Sequence, residues 1–185
     1  MSENLQAIHK HLMEYANMLI SEDGYIYAGY PRFMDLFGRD SIIYAVELFN
    51  INSGILKKTL ITLSEKQGKQ YNRETREEPG KILHEIANFE TFRYYPLKEK
   101  WVKPGIPLYH SIDSTPLFLL ACKFYIKNID DADFLNHIKV YMERAVSWML
   151  ERSGKTGFLT YNTAETWNKL ASQGWMVPGA FMEIF

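Results

Sequence analysis

Phe37-Gly38-Arg39-Asp40-Ser41, running on into Ile42-Ile43-Tyr44-Ala45-Val46-Glu47-Leu48-Phe49, is the stretch on which the reading of this chain turns. An apolar helix begins directly after an Arg-Asp pair, and Pro31 and Gly38 bracket an aromatic loop before it. Asp40 or Ser41 is expected to cap that helix by accepting a hydrogen bond from an orphan backbone N–H. Arg39 beside Asp40 also sets a fixed donor fork next to an acceptor, which suits a ligand with several hydroxyl groups. Two readings stand open on these residues: a capped helix with a local ion pair, and a polyol clamp.

Working outward, the first helix of this region is expected over residues 40–52, broken by Asn52-Ser53-Gly54. The next, over 54–67, turns Ile55, Leu56, Leu60 and Leu63 inward and Lys57, Lys58, Glu65 and Lys66 outward. So short a turn predicts an antiparallel hairpin. Upstream, residues 3–20 carry Leu5, Ile8, Leu12, Tyr15, Ala16 and Leu19 on one stripe, which predicts an amphipathic helix stopped by Ser21-Glu22-Asp23-Gly24. Downstream, residues 68–112 form a long irregular connection, and its density of Phe, Tyr and Trp argues against disorder. Within it, Lys81-Ile82-Leu83-His84-Glu85-Ile86 reads as a strand or one helical turn. Ser114-Thr115-Pro116 opens a fourth helix behind a hydroxyl cap, and residues 117–125 are apolar nearly all round, which predicts deep burial. Residues 131–152 form the fifth, with Phe134, Leu135, Ile138, Tyr141, Met142, Ala145, Trp148 and Met149 on its apolar stripe. Helices come in pairs with aromatic loops between them, so a single all-α domain over residues 1–185 is expected.

Composition narrows the function. Lys+Arg 21 against Asp+Glu 22 leaves no basic surplus for nucleic acid and no acidic tail for a cationic partner. No leader and no apolar run of membrane-spanning length is read, so no membrane and a cytoplasmic location are expected. Cys122, the one cysteine, lies in an apolar run and has no partner for a disulfide within the chain. Gly154-Lys155-Thr156 lacks the upstream glycine of a phosphate loop and follows a helix rather than a strand. His84-Glu85 lacks the second histidine of a zinc-protease helix, and His9 and His11, two apart, do not share a helix face. No metal and no cofactor is expected. Ser41 and Ser111 have no histidine partner along the chain, although such partners meet in space. What remains is a set of carboxylates, Asp40, Glu77, Glu78, Glu85, Asp113 and Glu165, at helix mouths or on long loops among aromatics. Each alone is explained by a cap or an ion pair, and Asp113 would favour the positive end of the fourth helix. As a set they suggest a carbohydrate cleft, because glycoside hydrolysis uses two carboxylates on opposite sides of the scissile bond.

Three motifs in order sharpen this: Phe37-Gly38-Arg39-Asp40-Ser41, Glu77-Glu78-Pro79-Gly80-Lys81-Ile82-Leu83-His84-Glu85 and Ser111-Ile112-Asp113-Ser114-Thr115-Pro116-Leu117-Phe118. Together they resemble the glycogen-debranching, amylo-α-1,6-glucosidase-like family of the six-hairpin glycosidases, over about residues 3–175. The resemblance implies an (α/α)6 toroid, a site at one end of it, and an α-glucan or oligosaccharide as partner. It implies that Arg39 and Asp40 hold the hydroxyls of a terminal glucose. It places Lys81, His84, Glu85, Tyr109 and Asp113 along the cleft, and Trp175, in Gln173-Gly174-Trp175, at the start of the segment carrying the general acid. Glu165 and Trp167 lie in the same late segment.

Departures from the family pattern carry their own expectations. Met176-Val177-Pro178 stands where the family has an acid just after Gly-Trp. A full toroid of twelve helices needs well over ~300 residues, so an incomplete toroid, about half, is expected, without either catalytic carboxylate. Trp and Met have single codons, and one added G turns TGG-ATG-GTN into Trp-Asp-Gly, so residues 176–185 read as an out-of-frame tail. The expected function is that of a truncated glucosidase, inactive alone. The alternatives are a non-catalytic sugar-binding remnant and an interaction module, a homo-oligomer formed through uncovered helix faces.

Overall fold

The computed structural model describes residues 3–31, 33–88 and 103–159. Five α-helices of these residues set the architecture: α1 (Glu3–Met18), α2 (Arg39–Glu47), α3 (Ser53–Glu65), α4 (Ser114–Asn128) and α5 (Ala132–Ser153), the last running into a 3-10 turn, Gly154–Thr156. Two short strands, β1 (Leu36–Phe37) and β2 (Glu85–Ile86), pair antiparallel with Leu36 opposite Ile86 and Phe37 opposite Glu85. The chain is therefore mostly helical. No helix among the described residues is long and apolar enough to cross a membrane.

The helices pair as the short turns require. α2 packs on α3, and α4 on α5. Ile42 and Ala45 of α2, Leu56, Leu60 and Leu63 of α3, Phe118 and Cys122 of α4, and Phe134 and Ile138 of α5 fill one shared core. Asn52 caps α3 by accepting from the Gly54 N–H, 3.0 Å, and Asp131 caps α5 by accepting from the Phe134 N–H, 2.9 Å. Asp131 also takes Lys57 of α3 and the Tyr125 hydroxyl, which ties the two hairpins together. The segment after α1 is strapped on by the Ile26 N–H, which donates to Thr59 Oγ1.

α2 and α4 lie side by side and begin at the same end. A Cβ on Gly38, which precedes α2, would stand 2.6 Å from Ser114 Oγ at the start of α4 and 2.0 Å from the Leu83 carbonyl oxygen. Only glycine permits that approach. The Gly38 N–H donates to the His84 carbonyl, 2.8 Å, and Glu85 pairs in turn with Leu108. Three distant segments, around residues 37, 85 and 108, thus form a small ribbon across the mouths of α2 and α4.

Three expectations change. α2 ends at Glu47 and continues as turns rather than helix to residue 52. Neither Asp40 nor Ser41 caps it: Ser41 Oγ accepts from the Phe37 N–H, 3.1 Å, and so stabilises the entering loop. Ser114 and Thr115 likewise serve neighbours, Ser114 through Ser111 Oγ at 2.6 Å and Thr115 by accepting from the Ile82 N–H at 2.9 Å. α4 is buried along Phe118, Ala121, Cys122 and Tyr125, but Leu120 and Phe124 face out. α1 forms as expected, with its stripe exposed at Leu5, Ile8, Leu12 and Tyr15. Residues 85–86 resolve the strand-or-turn alternative as β2.

Candidate functional site

At the shared mouth of α2 and α4, Arg39 is the hub. It is the first residue of α2, and its guanidinium reaches sideways to the residue preceding α4. Nη1 donates to Asp113 Oδ2 at 3.0 Å, while Nε and Nη2 both donate to Asp40 Oδ1, at 3.3 and 3.2 Å. The planar fork thus fixes two carboxylates contributed by positions 73 residues apart, since 113 − 40 = 73. Arg39 is 17% exposed, Asp40 35% and Asp113 43%, so the ion cluster faces solvent at its rim. Asp113 Oδ1 is turned inward and has no hydrogen-bond partner among the described residues. An acceptor left this way costs about 1–3 kcal/mol until a donor arrives. Phe37, two residues before Arg39 in the chain, stands edge-on to the His84 ring at 5.9 Å. An apolar ring next to charge-held acceptors is the lining that a sugar, with one C–H face and several hydroxyl donors, would meet.

The other residues nominated by the sequence divide. His84 is half-buried, its ring against that of Phe37. Glu85 is buried in the ribbon that carries His84, paired through its backbone with Leu108. Lys81 belongs to a different cluster. Its side chain is 1% exposed, with Nζ 3.6 Å from Glu78 Oε1, 3.4 Å from the Arg76 carbonyl and 5.6 Å above the Trp148 ring. Trp148 Nε1 donates to the second Glu78 oxygen at 2.8 Å. Burial pulls the Lys81 ammonium down to about 8, against Glu78, which holds it up. Tyr109 is buried as well; its hydroxyl donates to the Lys66 carbonyl at 2.7 Å, and burial, then Glu77, pushes its phenol up. His110 is buried, and burial holds its imidazole well below its usual range, with His84, Lys81 and Arg76 adding to the effect. Trp175, Glu165 and Trp167, like residues 176–185 as a whole, lie outside the described residues.

Sequence reasoning missed Gln67 and the pairing of Glu78 with Trp148. Gln67 Nε2 donates to the carbonyls of Gly80, 2.9 Å, and Tyr141, 3.0 Å, pinning the loop that holds Lys81 to α5. The one signal for that loop was Pro79-Gly80, where a turn could be read: Gly80 has φ +87, and a Cβ there would meet the Arg144 carbonyl at 2.3 Å. Among the described residues no group of three His, Cys, Asp or Glu could hold a metal ion.

No known family model matches this chain, and no curated protein is significantly similar to it.

Proposed function

We propose that this chain is a carbohydrate-binding unit of the α/α-toroid glucosidase type, holding the terminal glucosyl unit of an α-glucan or oligosaccharide between Arg39, Asp40 and Asp113. The single observation that carries the reading is the Arg39 fork gripping two part-exposed carboxylates at the joined mouths of α2 and α4. Sugar hydroxyls would donate to the two carboxylates, and Phe37 would lie against the ring of the sugar. The described hairpins α2–α3 and α4–α5 are of the kind from which such a toroid is assembled, and parallel first helices supply the common mouth.

The parent chemistry would be inversion at a glucosidic carbon, with one carboxyl protonating the leaving oxygen and another activating water. Asp40 and Asp113 are locked on one guanidinium, so neither is placed across a bond from the other. The reading is therefore binding without cleavage. Titration with glucose and with maltooligosaccharides, followed by NMR, tests it. Binding in the millimolar range or tighter is expected, weakened at least tenfold by Arg39→Ala. Absence of binding, or equal binding by Arg39→Ala, refutes the clamp. Glucose release from a branched glucan that Asp113→Asn abolishes would instead refute the non-cleaving part.

A further inference from the structure

We propose that α1 is a self-association element, its apolar stripe pairing antiparallel with the same stripe of a second copy of this chain. The inference is independent of the sugar site, which lies on other elements. Among the described residues α1 packs against no other helix or strand. Leu5, Ile8, Leu12, Tyr15 and Met18 are each more than half exposed. A lone helix of 16 residues is marginal in water. The Lys10–Glu14 pair on its polar face adds only tenths of a kcal/mol. The stripe needs a partner.

The spacing says what kind. Leu5, Ile8, Leu12 and Tyr15 follow one another at intervals of three, four and three residues. That is the narrow seam of a coiled coil, which takes another helix of the same pitch. The flanking positions are His9, His11, Ala16 and Met18, with no carboxylate, lysine or arginine. A charged partner would find nothing to read there, and two like copies have no fixed charges to repel each other. Pairing the half-exposed side chains of two copies removes on the order of 1,000 Å² from water, about where specific interfaces begin.

Orientation follows from where the body is attached. Leu19, at the C-terminal end of α1, is anchored in the core. An antiparallel pair sets the two bodies at opposite ends of a helix roughly 24 Å long. It stacks Leu5 of one copy on Tyr15 of the other, and Ile8 on Leu12, a self-complementary patch that closes as a dimer. Tyr30, half-exposed beside Tyr15 with ring centroids 6.1 Å apart, extends the patch toward the partner's Leu5.

Sedimentation equilibrium of the full chain should give a monomer–dimer equilibrium. Leu12→Asp, at a side chain 62% exposed in the monomer, should raise the dissociation constant at least tenfold while the circular dichroism stays unchanged. Leu150→Asp, at a side chain 69% exposed on α5, should leave it as it was. A mixture of Ile8→Cys and Leu12→Cys chains should form the mixed disulfide in preference to self-paired products. A monomer at every soluble concentration overturns the proposal, and one with α1 protected from amide exchange assigns the stripe to another part of the same chain. A dimer that survives Leu12→Asp, or that Leu150→Asp dissociates equally, also overturns it. Self-paired disulfides overturn the antiparallel arrangement.

Discussion

Two charge clusters in this chain use the same kinds of side chain and differ in everything that decides their use. Around Arg39, two carboxylates sit at a rim that solvent reaches, and one inward-turned oxygen of Asp113 has no donor among the described residues. Around Lys81, the ammonium is enclosed, its counter-ion Glu78 is shared with Trp148, and Gln67 ties the supporting loop to α5. A charge that is partnered on every side and buried holds the fold. A charge at a rim keeps its carboxylate partners within reach of solvent, which is what the proposed clamp requires. The family resemblance nominates both for one cleft; the packing gives them different surroundings.

The contrast makes graded demands. Glu78→Ala should be the most damaging change, since it strands the Lys81 charge in an enclosed site and removes the Trp148 acceptor; about 3 kcal/mol of unfolding free energy should be lost in urea titrations. A loss near zero would put Lys81 in the same class as the rim charges. The next effect is on pH. Lys81 has its folded value near 8, below its ordinary 10.5. From pH 8 upward the unfolded chain therefore keeps a proton that the folded chain has released, and stability rises through the window from 8 toward 10.5. Between about pH 7.5 and 9.5 the gain should be about 2 kcal/mol, and Lys81→Met should remove it. The Cys122 thiol, pushed up by burial from its ordinary 9.0, opposes the gain within that window, and above it so do the raised phenols of Tyr25 and Tyr109. The smallest stability effect belongs to Arg39→Ala, about 1 kcal/mol or less because its carboxylate partners are solvated. A loss as large as that of Glu78→Ala would erase the distinction between clusters.

How far the sequence reached depended on the range of the interaction. α3 and α5 were legible nearly to their ends, because Leu56, Leu60 and Leu63, and Phe134, Ile138 and Ala145, repeat at helical spacing on faces that are in fact buried. Periodicity found the helix α1 as well, but spacing reports an apolar face and not what covers it: among the described residues no other helix or strand packs on that stripe. Caps were half legible. Asn52 and Asp131 cap as their types suggest, whereas Ser41, Ser114 and Thr115 give their hydroxyls to loops that arrive from elsewhere in the chain. The candidate site shows the same limit. Arg39 and Asp40 are neighbours in sequence, and their pairing could be read directly. That Asp113 completes the grip could be seen only after Gly38 and Ser114 were brought together.

By itself the sequence determined the elements that depend on local chemistry: which segments are helical, that α2–α3 and α4–α5 form hairpins, and that an Arg-Asp pair opens the first of them. Those follow from side-chain spacing and short turns, which act within a few residues. Only the tertiary structure decided which charges stay at the rim and which are enclosed. Lys81 is placed along the cleft by the resemblance, yet the turn at Gly80, pressed on the Arg144 carbonyl, carries it into an enclosed site beside Trp148. Desolvation depends on neighbours brought from distant parts of the chain, so the same residue types become a lock in one place and an open grip in the other.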